Sequence, residues 1–202
     1  MITVHHARRA RSVRVVWLLE ELGVPYETKP LEFSEASLRS PEYMALHPLG
    51  QVPVVYIDGR RMIESGAIVE YLLEQHGQGR LAPAPGTPQR AEYLQWFHYG
   101  EATLARYVSD FVRNRFGQPE SERVPEVLPA ARRRFREALT VVDGVLAQRD
   151  YMLGADFTAA DIMVSYGITM SKIIGELPDD LAHLKGYLDR LKQRPGYQKA
   201  WA

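Results

Sequence analysis

Apolar residues recur three and four positions apart early in the chain. Val15, Leu18, Leu19 and Leu22 fall at i, i+3, i+4 and i+7, which is one face of an α-helix. Gly23 comes next as a stop signal and Pro25 bars continuation. The flanking pattern is different: Ile2-Thr3-Val4-His5 reads as a short strand, and Tyr26 to Phe33 as a second. Ser40-Pro41 opens a short helix through Leu46, with Pro41 in its first turn. Val54 to Ile57 and Arg60 to Ile63 flank Asp58-Gly59, the composition of a two-residue hairpin turn. Ser65 to His76 is helical, with Ile68, Tyr71 and Leu72 on one face and Gly77 as its end.

The order β-α-β-α-β-β-α makes a thioredoxin-like α/β domain over residues 1–77 when the strands share one sheet. Residues 78–87 form a linker, stiffened by Ala82-Pro83-Ala84-Pro85-Gly86. Residues 88–202 read as an all-α domain. Pro88 to Arg115 is a long aromatic-rich helix with a bend expected at Gly100. Leu128, Ala131, Phe135, Leu139, Val142 and Leu146 step by three or four as a core-facing stripe. Thr158-Ala159-Ala160-Asp161 is a capping box with Asp in the usual Glu place, and Phe157 and Ile162 are its staple pair. That motif marks a helix start, and its expected role is structural.

Composition narrows the function classes. Of 202 residues 46% are apolar and 25% charged, ordinary values for a soluble globular protein. Lys+Arg and Asp+Glu are equal at 25 each, so no global charge points to nucleic acid or an anionic membrane. The local exception is Arg8-Arg9-Ala10-Arg11 with Arg14 beyond it, either a solvated face or an anion-binding segment. Cysteine is absent, which excludes disulfides, thiolate metal sites and a cysteine nucleophile. The six histidines show no metal-ligand spacing, so no metal is expected. No secretory-type apolar core and no apolar run of about 20 residues occurs, and with the lack of cysteine this leads us to expect a cytoplasmic protein.

The stretch richest in candidate chemistry is Gly50-Gln51-Val52-Pro53-Val54-Val55, answered by Glu64-Ser65-Gly66-Ala67-Ile68. Pro53 cannot donate a ladder hydrogen bond, so it belongs at a strand's start or edge. With Val52-Pro53 cis, the Val52 backbone can turn outward and pair with a bound peptide. Glu64 and Ser65 stand at a helix start, where free N–H groups receive a carboxylate. Each residue alone also fits a plainer role: a strand-initiating proline, a surface charge, an N-cap.

Several motifs together resemble the cytosolic glutathione transferases. These are residues 10–23 as the first helix, His47-Pro48-Leu49-Gly50-Gln51-Val52-Pro53 where most relatives carry Asn-Pro, and Glu64-Ser65-Gly66-Ala67-Ile68 with Tyr71-Leu72. Gly79-Arg80-Leu81-Ala82-Pro83 and Phe157-Thr158-Ala159-Ala160-Asp161-Ile162 complete the series, in order along the whole chain. The branch most resembled is the bacterial and fungal one, similar to the yeast enzyme. The resemblance implies that glutathione is the co-substrate, bound by Gln51, Val52 and Pro53 with Glu64 facing its ammonium and Ser65 its γ-glutamyl carboxylate. It implies a homodimer, with Glu101 reaching the partner's glutathione. It also implies conjugation to a small hydrophobic electrophile, or use of the thiol in peroxide or disulfide reduction.

One departure stands out. Relatives in that branch commonly carry a serine where this chain has Ala10, and alanine has no donor. A free thiol titrates at about 8.5, and lowering it two units takes about 2.7 kcal/mol. A hydrogen bond to a charged group supplies roughly 1.5–3 kcal/mol; a helix N-terminus supplies roughly 0.3–1. The candidates left are the Ser12 hydroxyl, the Arg11 or Arg9 guanidinium, and backbone N–H groups at the helix start, with Ser12 equally readable as an N-cap. The electrophile is expected between the domains, lined by Tyr99, Tyr107 and Phe111, though core packing explains those rings as well. The alternative from another class is a glutathione-binding module with weak or no turnover.

Overall fold

The computed structural model describes residues 1–117, 119–122, 124 and 126–202. The first part of the chain runs β1 (Ile2–Ala7), α1 (Ser12–Leu22), β2 (Tyr26–Leu31), α2 (Glu35–Leu38), α3 (Pro41–Leu46), β3 (Val54–Ile57), β4 (Arg60–Met62) and α4 (Ser65–His76). The remainder is helical: α5 (Pro88–His98), a π-helical segment (Tyr99–Ala105), α6 (Arg106–Phe116), a 3₁₀ turn (Glu120–Glu122), α7 (Val127–Leu146), α8 (Ala159–Ile173), α9 (Ala182–Lys192) and α10 (Pro195–Trp201). The chain divides into two compact units, Met1–Leu81 with Leu191–Ala202, and Ala82–Arg190.

The four strands share one sheet in the order β2-β1-β3-β4. β1 is parallel to β2 and antiparallel to β3, and β3 is antiparallel to β4. This is the thioredoxin-like arrangement expected from the element order. α1 forms where the apolar spacing placed it, and Val15, Leu18, Leu19 and Leu22 are all buried. Burying each contributes roughly 1.5–3 kcal/mol. Gly23 ends the helix at φ +69. Its N–H bonds Glu20 O and the Val24 N–H bonds Leu19 O, the paired closure of a Schellman motif.

The sequence pattern assigns the chain as far as residue 202 to the helical domain, whereas Leu191–Ala202 cluster with the first unit. The reason lies on α1. Trp17 and Glu21 are four residues apart, and the indole N–H donates to the Glu21 carboxylate at 2.8 Å. Arg194 forks onto the same carboxylate at 2.8 and 2.6 Å. Tyr197 meets Trp17 edge-on at 5.1 Å. A side chain at Gly196 would begin 2.9 Å from the Trp17 ring, so glycine there lets α10 close on α1. The spacing of apolar residues carries none of this.

Two local differences are physical. Helix α2 has no counterpart among the expected elements: it is one turn long, below the reach of periodicity, and is nucleated by Ser34, whose hydroxyl accepts from Ser37 N–H at 3.3 Å. The expected bend at Gly100 is a π-helical segment instead of a simple kink. A Cβ at Gly100 would lie 2.5 Å from the Met163 carbonyl carbon, so α8 touches this backbone directly.

The start of α8 is sealed. The Asp161 carboxylate is fully buried and accepts from Met152 N–H, Thr158 N–H, the Thr158 hydroxyl and the Tyr187 hydroxyl at 2.8, 2.8, 3.0 and 2.8 Å. Burial pushes its carboxyl above the usual range while these donors work in the opposite direction.

Candidate functional site

The β3–β4 hairpin places the candidate residues. Val55 faces Met62, Tyr56 faces Arg61 and Ile57 faces Arg60, so residues 51–53 enter one arm as residues 63–65 leave the other. Val52 lies in an apolar cluster with Ala7, Ala10, Tyr43 and Val54, and Ile63 packs against it. The Val52-Pro53 bond is cis. β3 pairing starts only at Val54, and among the described residues nothing bonds the N–H or C=O of Val52. Those groups are left for something else.

On the opposite arm Glu64 is exposed and adopts φ +71, a left-handed conformation uncommon outside glycine. It precedes α4 but makes no side-chain cap, and no acidic residue occupies the first turn. The first helical bond is Ile68 N–H to Glu64 O at 3.0 Å, and the Gly66 and Ala67 N–H groups have no partner among the described residues. Ser65 is buried, and its hydroxyl accepts from Arg14 Nη1 at 3.2 Å. Arg14 is itself buried on α1, so a cation stands behind the open helix start. Three separate segments, residues 10–14, 51–53 and 63–65, are thus brought together.

The loop before Val52 is held from both sides. The Tyr43 hydroxyl donates to Gln51 O at 2.7 Å, and burial pushes that phenol up to about 12. The Gln51 side chain is exposed. Leu49 N–H donates to His47 Nδ1 at 3.1 Å. Motif and spacing assign no role to the Tyr43 or His47 side chains, and they leave Arg14 in a basic segment that is either a solvated face or an anion-binding one. Arg14 was detectable, since it lies four residues before Leu18 on the buried side of α1, an unusual place for a charge.

Comparison with known proteins identifies the family. The N-terminal domain model of the glutathione S-transferases matches residues 1–74, and their C-terminal domain model matches residues 125–190. Glutathione S-transferase 3 of Schizosaccharomyces pombe is 33% identical over 178 residues, covering 83% of this chain and 73% of that protein. The chain belongs to the glutathione S-transferase family. The glutathione S-transferase-like protein gedE of Aspergillus terreus is 32% identical, covering 92% of this chain and 88% of its own. Among solved structures, a theta class glutathione S-transferase of Xanthomonas axonopodis pv. citri with glutathione bound is 31% identical with a TM-score of 0.80, covering 98% of this chain and 96% of its own.

Within this transferase frame the candidates for thiol activation separate. Ser12 is 0% exposed. Its hydroxyl donates to Ala7 O at 3.1 Å, accepts from Ala7 N–H at 3.1 Å and lies 2.9 Å from His6 Nδ1. Its single proton is engaged inside the protein, which corrects the expectation that it could donate to a bound sulfur. The hydroxyl instead ties the start of α1 to the end of β1. Ala10 is buried in the cluster that holds Val52. Arg11 is half-buried at the N-cap of α1 and Arg9 is exposed at φ +61.

The aromatic candidates separate too. Phe111 is 0% exposed, with the Arg115 and Arg132 guanidinium carbons each 5.7 Å from its ring centre. It is a core residue, not a lining one, because its ring was the apolar surface α6 had available to bury. Tyr99 and Tyr107 are half-buried. The Tyr99 hydroxyl donates to Ala138 O at 3.0 Å, and burial, then the neighbouring Tyr107, push it up to about 12. Glu101 is half-buried on the π-helical segment. Among the described residues no group of three or more His, Cys, Asp or Glu is placed to hold a metal, and no helix is long and apolar enough to cross a membrane.

Proposed function

We propose that the protein binds glutathione along residues 51–53 and 64–65 and delivers its thiolate to a small hydrophobic electrophile. The observation that carries this is the open start of α4 beside the unpaired backbone of Val52. Val52 N–H and C=O pair with the cysteinyl unit as a short added strand, next to Gln51. The γ-glutamyl carboxylate sits on the first N–H groups of α4 and the Ser65 hydroxyl, with Arg14 behind it adding positive charge. Glu64 faces the ammonium. The glutathione-bound Xanthomonas structure supports the same ligand.

Thiol activation falls to Arg11 and the N-terminus of α1. The helix end alone, at roughly 0.3–1 kcal/mol, lowers a thiol by less than one unit. A cation within a few Å of the sulfur lowers it by about 1–3 units, so Arg11 does most of the work. The thiol proton leaves to solvent, the sulfur lone pair forms the bond to the electrophilic carbon, and the leaving group departs with its electron pair. Attack on a disulfide or peroxide bond uses the same thiolate. Tyr99 and Tyr107 offer ring surface to the electrophile, and Glu101 reaches the ligand of a partner in a homodimer. The cysteine-free chain suits a reducing cytoplasm.

A second reading, a glutathione-binding module without turnover, is favoured by Ala10 and by the sealed Ser12 hydroxyl. One sample separates the two. Retention on immobilised glutathione tests the cradle, and thiolate absorbance of the bound tripeptide against pH tests activation. Retention with a depressed thiol supports the transferase, and retention with an ordinary thiol supports the module. Failure to be retained removes both.

A further inference from the structure

The loop from α3 to β3 holds a titratable group that the proposed chemistry does not use. His47 is 3% exposed. Its backbone N–H donates to Tyr43 O at 2.9 Å, its C=O accepts from Gly50 N–H at 2.8 Å, and its ring Nδ1 accepts from Leu49 N–H at 3.1 Å. The imidazole takes a hydrogen bond from the backbone two residues on, as an Asn or Asp side chain does in an Asx-turn. It can do so only while Nδ1 is unprotonated, which leaves the ring proton on Nε2. The next two residues are tightly fixed. Gly50 sits at φ +56, where a Cβ would lie 2.4 Å from Leu38 O, and Gln51 O is held by Tyr43. Immediately beyond them lies the unpaired backbone of Val52.

We infer that His47 is a positioning residue for the glutathione site: its neutral Nδ1 closes the turn that presents the Val52 backbone, and protonation opens that turn and weakens binding. The inference rests on the glutathione reading above. Charged groups around the ring are few. Burial is the largest influence and lowers the His47 pKa, Glu64 at the start of α4 and a hydrogen bond to the residue's own backbone raise it, and Arg61 on β4 lowers it. Tyr43 on α3, at about 12, stays protonated throughout. The closed turn therefore binds fewer protons than the open one, whose imidazole titrates near the ordinary value of about 6.5. Positioning is complete above that pH and is lost as pH falls below it toward the lowered value.

The test is calorimetric titration with S-methylglutathione, whose blocked sulfur removes thiol ionisation from the pH dependence. Between about pH 7 and about pH 5 the wild type loses about three- to tenfold in affinity. His47→Asn keeps a side-chain acceptor for Leu49 N–H but does not titrate, so its affinity stays near the wild-type value at the higher pH and flat across the range. His47→Ala binds weakly at both. A flat wild-type profile, or a fall retained in full by His47→Asn, overturns the inference, the latter moving the titration to His5 or His6. If wild type and both variants fail to bind at either pH, the glutathione reading itself falls, and this one with it.

Discussion

Two helix starts in this molecule solve the same problem in opposite ways. The first N–H groups of any helix lack intrahelical partners. At α8 the chain supplies its own cap: the Thr158 side chain accepts from the Asp161 N–H, while the fully buried Asp161 carboxylate folds back onto the Thr158 N–H and takes Met152 and Tyr187 as further donors. At α4 the chain supplies none. Glu64 makes no cap, the first turn has no acid, and a buried arginine backs the opening through Ser65. A helix end finished internally contributes stability. One left unfinished beside the unpaired backbone of Val52 is suited to a carboxylate from outside, and in the proposed function that is the γ-glutamyl group.

The largest expected effect comes from breaking the sealed end. Asp161→Ala leaves Tyr187 and Met152 donors buried without an acceptor and costs about 3–5 kcal/mol, read as a lower midpoint in urea unfolding. Below that midpoint the remaining folded protein keeps its affinity for glutathione, because α4 is untouched. A comparable loss of affinity would show that the two helix starts are not separate in function.

Breaking the open end reverses the pattern. Ser65→Ala weakens glutathione binding by about 1–3 kcal/mol, measured by calorimetry, with a smaller change in stability from the lost Arg14 contact. An unchanged dissociation constant removes Ser65 from the site.

The thiol sharpens the contrast further. Ala10→Ser places a hydroxyl in the cluster that contains Val52, and a hydrogen bond to the thiolate then lowers the bound thiol by about 1–2 units. Arg11→Ala raises it by about one unit or more, and Ser12→Ala leaves it unchanged while destabilising the fold. Absorbance of the bound thiolate against pH reads all three. A rise in Ser12→Ala equal to that in Arg11→Ala would restore Ser12 as the activator. The smallest effect expected is Tyr99→Phe, about 1 kcal/mol of stability from the Ala138 bond, seen as a modest shift in thermal midpoint.

Legibility in the sequence tracks the range of each signal. The α1 stripe, the hairpin at Asp58-Gly59, the helix from Ser65 and the Thr158–Asp161 box are all written within a few consecutive residues, and each stands where its local chemistry put it. Val52, Pro53, Glu64 and Ser65 stand near one another because one hairpin carries both arms. The rest depends on long-range packing. Whether the Ser12 hydroxyl is open or sealed depends on His6 and the Ala7 backbone, which a one-dimensional pattern does not orient. Phe111 has the look of a lining residue until two arginines close over its ring. The docking of α10 on α1 joins Glu21 to Arg194 across most of the chain, beyond any periodicity.

The most direct measurement tracks backbone amide signals by ¹⁵N-resolved NMR during titration with S-methylglutathione. The Val52, Gly66 and Ala67 amides are expected to move together and saturate at one dissociation constant, while the Thr158 and Asp161 amides stay in place. Saturable binding that leaves Gly66 and Ala67 unmoved, or that shifts the two helix starts alike, would contradict the division between an open and a sealed helix end.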